Sequence, residues 1–209
     1  MSLRVIVFAF SLLLSGPLMA ATILVWGDSL SAGYQLRQGE EWPVLLQARL
    51  EENGYAHHVV NGSVSGETTS GGLSRLPAAL EQHEPDLFLL ELGGNDGLRG
   101  LQPQSMADNL EAMITAAQDA GAEVLLIGME LPPNYGPFAE RFTAAFADVA
   151  ERTDVIFLPF LLAGFADRPD HFLPDGIHPT AQSQHLILDT VWEVLHPMLE
   201  KSAVSPAKP

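Results

Sequence analysis

The chain has 209 residues, 47% of them hydrophobic, a formal net charge of -16 and no cysteine. That length buries one full core and is too short for two large domains, and the charge repels polyanions, which argues against nucleic acid as a partner. The missing cysteines exclude both disulfides and thiolate chemistry, and the acidic residues are dispersed enough (Glu40-Glu41 and Glu51-Glu52 are only pairs) to read as a solvated surface.

The first twenty residues differ from the rest: Arg4, the apolar run Val5 to Leu14, the breaker pair Gly16-Pro17, then Leu18-Met19-Ala20-Ala21. The apolar run falls well short of the roughly 20 residues that span a bilayer as a helix. This pattern predicts a secretory signal over 1–20, cut after Ala20, and a periplasmic or secreted mature chain with no membrane span. Leu18 is larger than the residue preferred three places before the cut, so an uncleaved anchor stays open.

Beyond it, short apolar runs alternate with segments of helical period. The runs are Thr22 to Trp26, His57 to Asn61, Asp86 to Leu92, Glu123 to Met129 and Asp154 to Leu158. Met106, Leu110, Met113, Ile114 and Ala117 fall on one helical stripe, as do Phe138, Phe142, Ala145, Phe146 and Val149, and a last stripe holds Leu188, Val191, Trp192, Leu195 and Leu199. Runs apolar throughout, such as Leu87-Phe88-Leu89-Leu90, suit a parallel sheet covered on both faces. The expected fold is a single-domain three-layer α/β/α sandwich over 21–200 with a five-stranded, parallel, doubly wound sheet, followed by a disordered tail over 201–209. In that topology the first and third strands are neighbours, and ligands bind outside their ends. The first strand ends in Gly27-Asp28-Ser29 and the third in Gly93-Gly94-Asn95-Asp96, so a hydroxyl and a carboxamide arrive at the two lips of one crevice.

Serine needs a base to become a nucleophile, and the base needs an orienting group. Of seven histidines, His57 and His58 share a strand, His83 ends a polar helix, His196 precedes a proline, and His171 and His185 lack an obvious partner. Pro174-Asp175-Gly176-Ile177-His178-Pro179 is different: on a turn or tight loop, the three-residue spacing lets Asp175 meet the near ring nitrogen of His178 while the far one points outward. Spacing alone is equally consistent with Asp175 capping the last helix. Gly-rich turns expose N–H groups to a developing oxyanion, and two stand at strand ends, Gly62 to Gly66 and Gly93-Gly94 before Asn95. Taken singly, Asn95 also reads as a turn residue. The nucleophile pattern G-x-S-x-G fails, because Ser31 stands two places after Ser29, and neither a P-loop lysine nor a G-x-G-x-x-G after the first strand is present.

Gly27-Asp28-Ser29-Leu30 with Ser31-Ala32-Gly33-Tyr34, then Gly66, then Gly93-Gly94-Asn95-Asp96, then Asp175-Gly176-Ile177-His178-Pro179, resemble the four blocks of the GDSL or SGNH hydrolase family in order. The resemblance runs from about Thr22 to Leu199 and is nearest to the secreted bacterial branch of thioesterase I, lysophospholipase L1 and arylesterase. It implies Ser29 as nucleophile, His178 as base, Asp175 as its orienting acid, and the Ser29 and Gly66 N–H groups with the Asn95 amide as oxyanion donors. It further implies ester and thioester substrates, cleaved through an acyl-serine without metal or cofactor.

Leu98 and Leu101 after the Asn95 block, and Leu131, Pro132 and Tyr135 after the fourth strand, leave strand ends on the crevice side and are candidates to line an acyl groove. A monomer acting on a small ester or lipid is expected. The net charge, -17 once Arg4 is removed, favours neutral esters and zwitterionic lysophospholipids over acyl-CoA. Two other classes stay open: a non-catalytic periplasmic binder of lipids or fatty acids, and a metal-dependent phosphoesterase recruiting Asp28, Asn95, Asp96 and His178.

Overall fold

The computed structural model describes residues 21–204; the expected signal segment lies outside them. Five strands, β1 (Ala21–Gly27), β2 (His57–Asn61), β3 (Leu87–Glu91), β4 (Glu123–Ile127) and β5 (Ile156–Leu158), form one sheet in the order β2-β1-β3-β4-β5, and every neighbouring pair is parallel. The winding reverses between β1 and β3, as the alternating pattern predicts. Their central runs are apolar because both faces are covered: Ile23 to Trp26 and Leu87 to Leu90 are buried.

Seven helices flank the sheet among the described residues: α1 (Ser29–Ala32), α2 (Trp42–Glu52), α3 (Thr69–His83), α4 (Gly94–Leu98), α5 (Pro103–Asp119), α6 (Pro137–Thr153) and α7 (Gln184–Val204). α3, α5 and α6 pack together as one layer, and α2 and α7 as another. The stripes on α5 and α6 face the core as expected, with only Phe138 partly exposed, and on α7 only Trp192 is. Each such side chain contributes about 1.5–3 kcal/mol when fully buried. Two helices carry no clean stripe. α2 buries Trp42, Leu46 and Leu50 but adds Val44 and Leu45 beside them, and α3 buries Thr69 and Gly72 with Leu76 and Leu80 and contains Pro77.

The chain end differs from the expectation. α7 continues to Val204, so the first residues of the segment read as a disordered tail prolong a helix; good helix formers at 200–203, Glu-Lys-Ser-Ala, explain it. Residues 205–209 lie outside the described residues.

Candidate active site

β1 runs out at Gly27, and Asp28 caps α1 by accepting the Leu30 N–H (3.0 Å). Ser29 is therefore the first residue of a four-residue helix, half-buried, with its own N–H free of any intrahelical acceptor. Gly27 admits no side chain, since a Cβ there would collide with the Glu91 carboxylate on the paired strand β3.

The partner of Ser29 comes from far away in the chain. His171 to Thr180 fold back on themselves: Phe172 and Pro179 form an antiparallel bridge, the Leu173 N–H donates to the His178 carbonyl (2.7 Å), and the Thr180 N–H to that of His171 (2.9 Å). At the tip, Asp175 Oδ1 accepts the N–H groups of Ile177 (2.9 Å) and His178 (3.0 Å), while Oδ2 lies 2.9 Å from His178 Nδ1. A carboxylate only accepts, so in the neutral imidazole Nδ1 carries the proton and Nε2 is the bare nitrogen. Nε2 stands 2.9 Å from Ser29 Oγ across 149 residues of sequence. Desolvation raises the Asp175 carboxyl, but it is outweighed by the backbone N–H groups of His178 and Ile177 and by the imidazole together, and its pKa falls to about 2. The ring of Tyr34 covers that of His178 at 4.3 Å between centroids.

The glycine-rich loop after β2 is laced to the end of β1: Gly27 N–H donates to Ser63 Oγ (3.0 Å) and Val64 N–H to the Gly27 carbonyl (3.0 Å). Gly66 has φ +79°, and its carbonyl accepts from Arg99 (2.8 Å). On the other lip, Asn95 Nδ2 donates to Asp28 Oδ2 (2.9 Å), leaving its second N–H unspent. Burial drives the Asp28 carboxyl up to about 6 against the donors from Leu30 and Asn95 and the nearby His178, with Asp96 adding to the rise. A hydroxyl, an imidazole with its carboxylate, and an amide from three separate segments thus meet at the ends of β1 and β3.

These segments fall within the stretch, residues 25–186, that matches the model of the GDSL-like lipase/acylhydrolase family. The chain belongs to that family. It is 45% identical to Esterase TesA of Pseudomonas aeruginosa over 188 residues, covering 90% of this chain and 94% of that one. It is 42% identical to Thioesterase 1/protease 1/lysophospholipase L1 of Escherichia coli K12 over 194 residues, 92% of each chain. Among solved structures, psychrotrophic esterase EstA of Pseudoalteromonas sp., inhibited by monoethylphosphonate, superposes with a TM-score of 0.82 at 40% identity over 86% of this chain and 98% of that one.

Beside this cluster the acylhydrolase has a cavity of about 390 Å³. Of the five residues expected to line an acyl groove, Leu98, Leu131 and Pro132 lie on the wall of this cavity. Leu101 and Tyr135 do not: Leu101 sits beyond the end of α4 facing solvent, and Tyr135 turns onto Phe138 of α6. The wall also includes Met129, Phe160, Leu162, Phe172 and Ile177, with exposed carboxylates of Glu130 and Asp167 on it. The loops after β5 were not read as site-forming, although Phe160 and Leu162 follow a strand end as Leu131 does. Tyr34 stood inside a quoted motif without a role. His171, read as lacking a partner, has one: Nδ1 is 3.0 Å from Ser183 Oγ. Asp96, a candidate metal ligand in one reading, instead accepts from the N–H (2.9 Å) and hydroxyl (2.6 Å) of Thr69.

Proposed function

We propose that this acylhydrolase is an exported serine esterase that cleaves carboxylic esters and thioesters through an acyl-serine intermediate. The observation that carries the reading is the unbroken relay Asp175–His178–Ser29, two contacts of 2.9 Å each with the bare ring nitrogen facing the hydroxyl. Ser29 Oγ attacks the substrate carbonyl carbon as His178 Nε2 takes its proton, and the imidazolium is steadied by Asp175. The oxyanion takes hydrogen bonds from the Ser29 and Gly66 N–H groups and the unspent Asn95 N–H. Collapse expels the alcohol or thiol, which collects the proton from His178. Water then repeats the sequence on the acyl-serine and restores the free hydroxyl.

The cavity takes the acyl group in this reading, with Leu98, Leu131 and Pro132 among the apolar contacts and volume in the range of small-molecule sites. Neutral aryl and alkyl esters and lysophospholipids are the substrates proposed, and a monomer suffices because the site draws on one chain. No helix among the described residues is long and apolar enough to cross a membrane, and residues 1–20 are read as the leader that sends the enzyme to the periplasm or outside.

An organophosphonate probe tests the assignment directly. The wild type should be labelled once per chain, and Ser29→Ala should lose both the label and hydrolysis of a p-nitrophenyl ester, by something on the order of 10⁶ in turnover. Asn95→Ala should keep the label site and lose roughly 10²–10³ in kcat. Near-normal esterase activity in Ser29→Ala overturns the mechanism.

A further inference from the structure

Directly behind the nucleophile lies a second carboxyl that the mechanism does not use. Glu91, the last residue of β3, is completely buried. Its Oε2 accepts the Ser31 hydroxyl (2.6 Å) and the Asp28 N–H (3.3 Å), and Ser31 Oγ in turn accepts the Trp42 indole N–H (3.2 Å). Its Oε1 has no hydrogen-bond partner. The adjoining carboxyl, Asp28, is also buried and holds Asn95. Two acids therefore share one dry site at the root of α1.

The charged groups around Glu91 do not compensate it. From the end of β1 comes Asp28, another acid. α1 and α2 present only the Ser31 hydroxyl and the Trp42 indole. Asp96 on α4 is acidic and already taken by Thr69. His178, from the far loop, bears on Asp28. No Lys or Arg among the described residues is ion-paired with either carboxyl. An ionised Glu91 would keep part of its charge on an oxygen with no donor, beside a second anion, in the place where the reaction must build a third.

We propose that Glu91 is a positioning residue that works as a neutral carboxylic acid: it fixes the turn carrying Ser29 through Ser31 and the Asp28 N–H, and leaves Asp28 the single negative charge beneath the oxyanion donors. The position needs an acceptor for two donors and no charge. Burial, with Asp28 alongside, pushes the Glu91 carboxyl well above the usual range despite the donors from Ser31 and the Asp28 backbone, which accords with the geometry. A carboxyl raised in the fold lends stability at low pH that is lost as pH rises through its folded value. Activity should follow, since deprotonation sets a second anion behind the oxyanion.

The catalytic part of this proposal rests on the serine-esterase reading; the protonation state does not. Infrared difference spectra of wild type minus Glu91→Gln at neutral pH should show the carbonyl stretch of a protonated carboxyl. Should E91Q fail to fold, the same band persisting in Asp28→Asn assigns it to Glu91. In hydrolysis of a neutral p-nitrophenyl ester, E91Q should stay within about threefold of wild type at neutral pH and lose the alkaline decline. Glu91→Met, which offers no acceptor, should lose about tenfold or more in kcat with KM little changed. A carboxylate band in place of the protonated one, or E91Q as impaired as E91M, overturns the proposal. Loss of phosphonate labelling at Ser29 would sink the esterase reading and leave the infrared result standing.

Discussion

Asp175 does more for His178 than its charge alone requires. One oxygen holds the backbone of the turn and the other selects the ring tautomer, so position and protonation are set by a single side chain. Because its carboxyl titrates near 2 in the fold instead of its ordinary 3.8, the native state favours the ionised form. The stability this lends is present above pH 3.8 and is lost as pH falls toward about 2. Thermal midpoints of wild type and Asp175→Asn, measured side by side, should differ most at neutral pH and converge through that acid window. Asp28 and Glu91 have the opposite sign, being raised by burial. A gap between the two proteins that widens on acidification would contradict the role given to the turn.

The element that brings His178 to Ser29 is the folded-back segment from His171 to Thr180, and its root is one buried hydroxyl. Ser183 Oγ donates to the His171 carbonyl (2.8 Å) and meets His171 Nδ1 (3.0 Å) and Thr180 Oγ1 (2.9 Å). With its proton spent on the carbonyl, it accepts from the other two and is saturated. Ser183→Ala leaves the His171 ring nitrogen and the Thr180 hydroxyl without this partner and the His171 carbonyl with the Thr180 N–H alone, at about 1–3 kcal/mol for a polar group left unpaired, and each kcal/mol lowers Tm by about 2–4 °C in a domain of this size. A Tm loss of roughly 5 °C with kcat reduced and KM nearly unchanged is expected, read by calorimetry and ester kinetics; an unchanged Tm would refute the anchoring. Nothing local announces this root in the sequence, where Ser183 is one small polar residue between two glutamines. Asp175 and His178 were legible because their spacing is itself the contact. Glu91 looked like the polar end of an apolar run, since its partners, Ser31 and Trp42, lie on the far side of a strand pairing.

For the molecule as a whole, the alternation of continuous apolar runs with striped helices was enough to read the parallel sheet and its reversal, because burial on both faces makes Ile23 to Trp26 and Leu87 to Leu90 unbroken apolar runs. The cavity wall was half legible: Leu131 and Phe160 follow strand ends, whereas Phe172 and Ile177 converge only through tertiary packing. What the total composition does dictate is a field. A chain of net charge -16 repels anions over about a Debye length, near 10 Å at 0.1 M salt. Locally, Glu130 and Asp167 place two exposed carboxylates on the cavity. Acyl-CoA brings several negative charges on its leaving group to this mouth, whereas a p-nitrophenyl ester brings none and a lysophosphatidylcholine brings a balanced pair. At low ionic strength kcat/KM should therefore be higher for the uncharged ester than for acyl-CoA of the same chain length. Added salt should raise the acyl-CoA value while leaving the ester nearly flat, so the ratio falls toward a limit set by contacts alone. Glu130→Gln combined with Asp167→Asn should reproduce part of the salt effect without salt. Stopped assays across an ionic-strength series decide it, and an acyl-CoA rate that exceeds the matched ester at low salt would show that the mouth recognises the polyanion instead of repelling it.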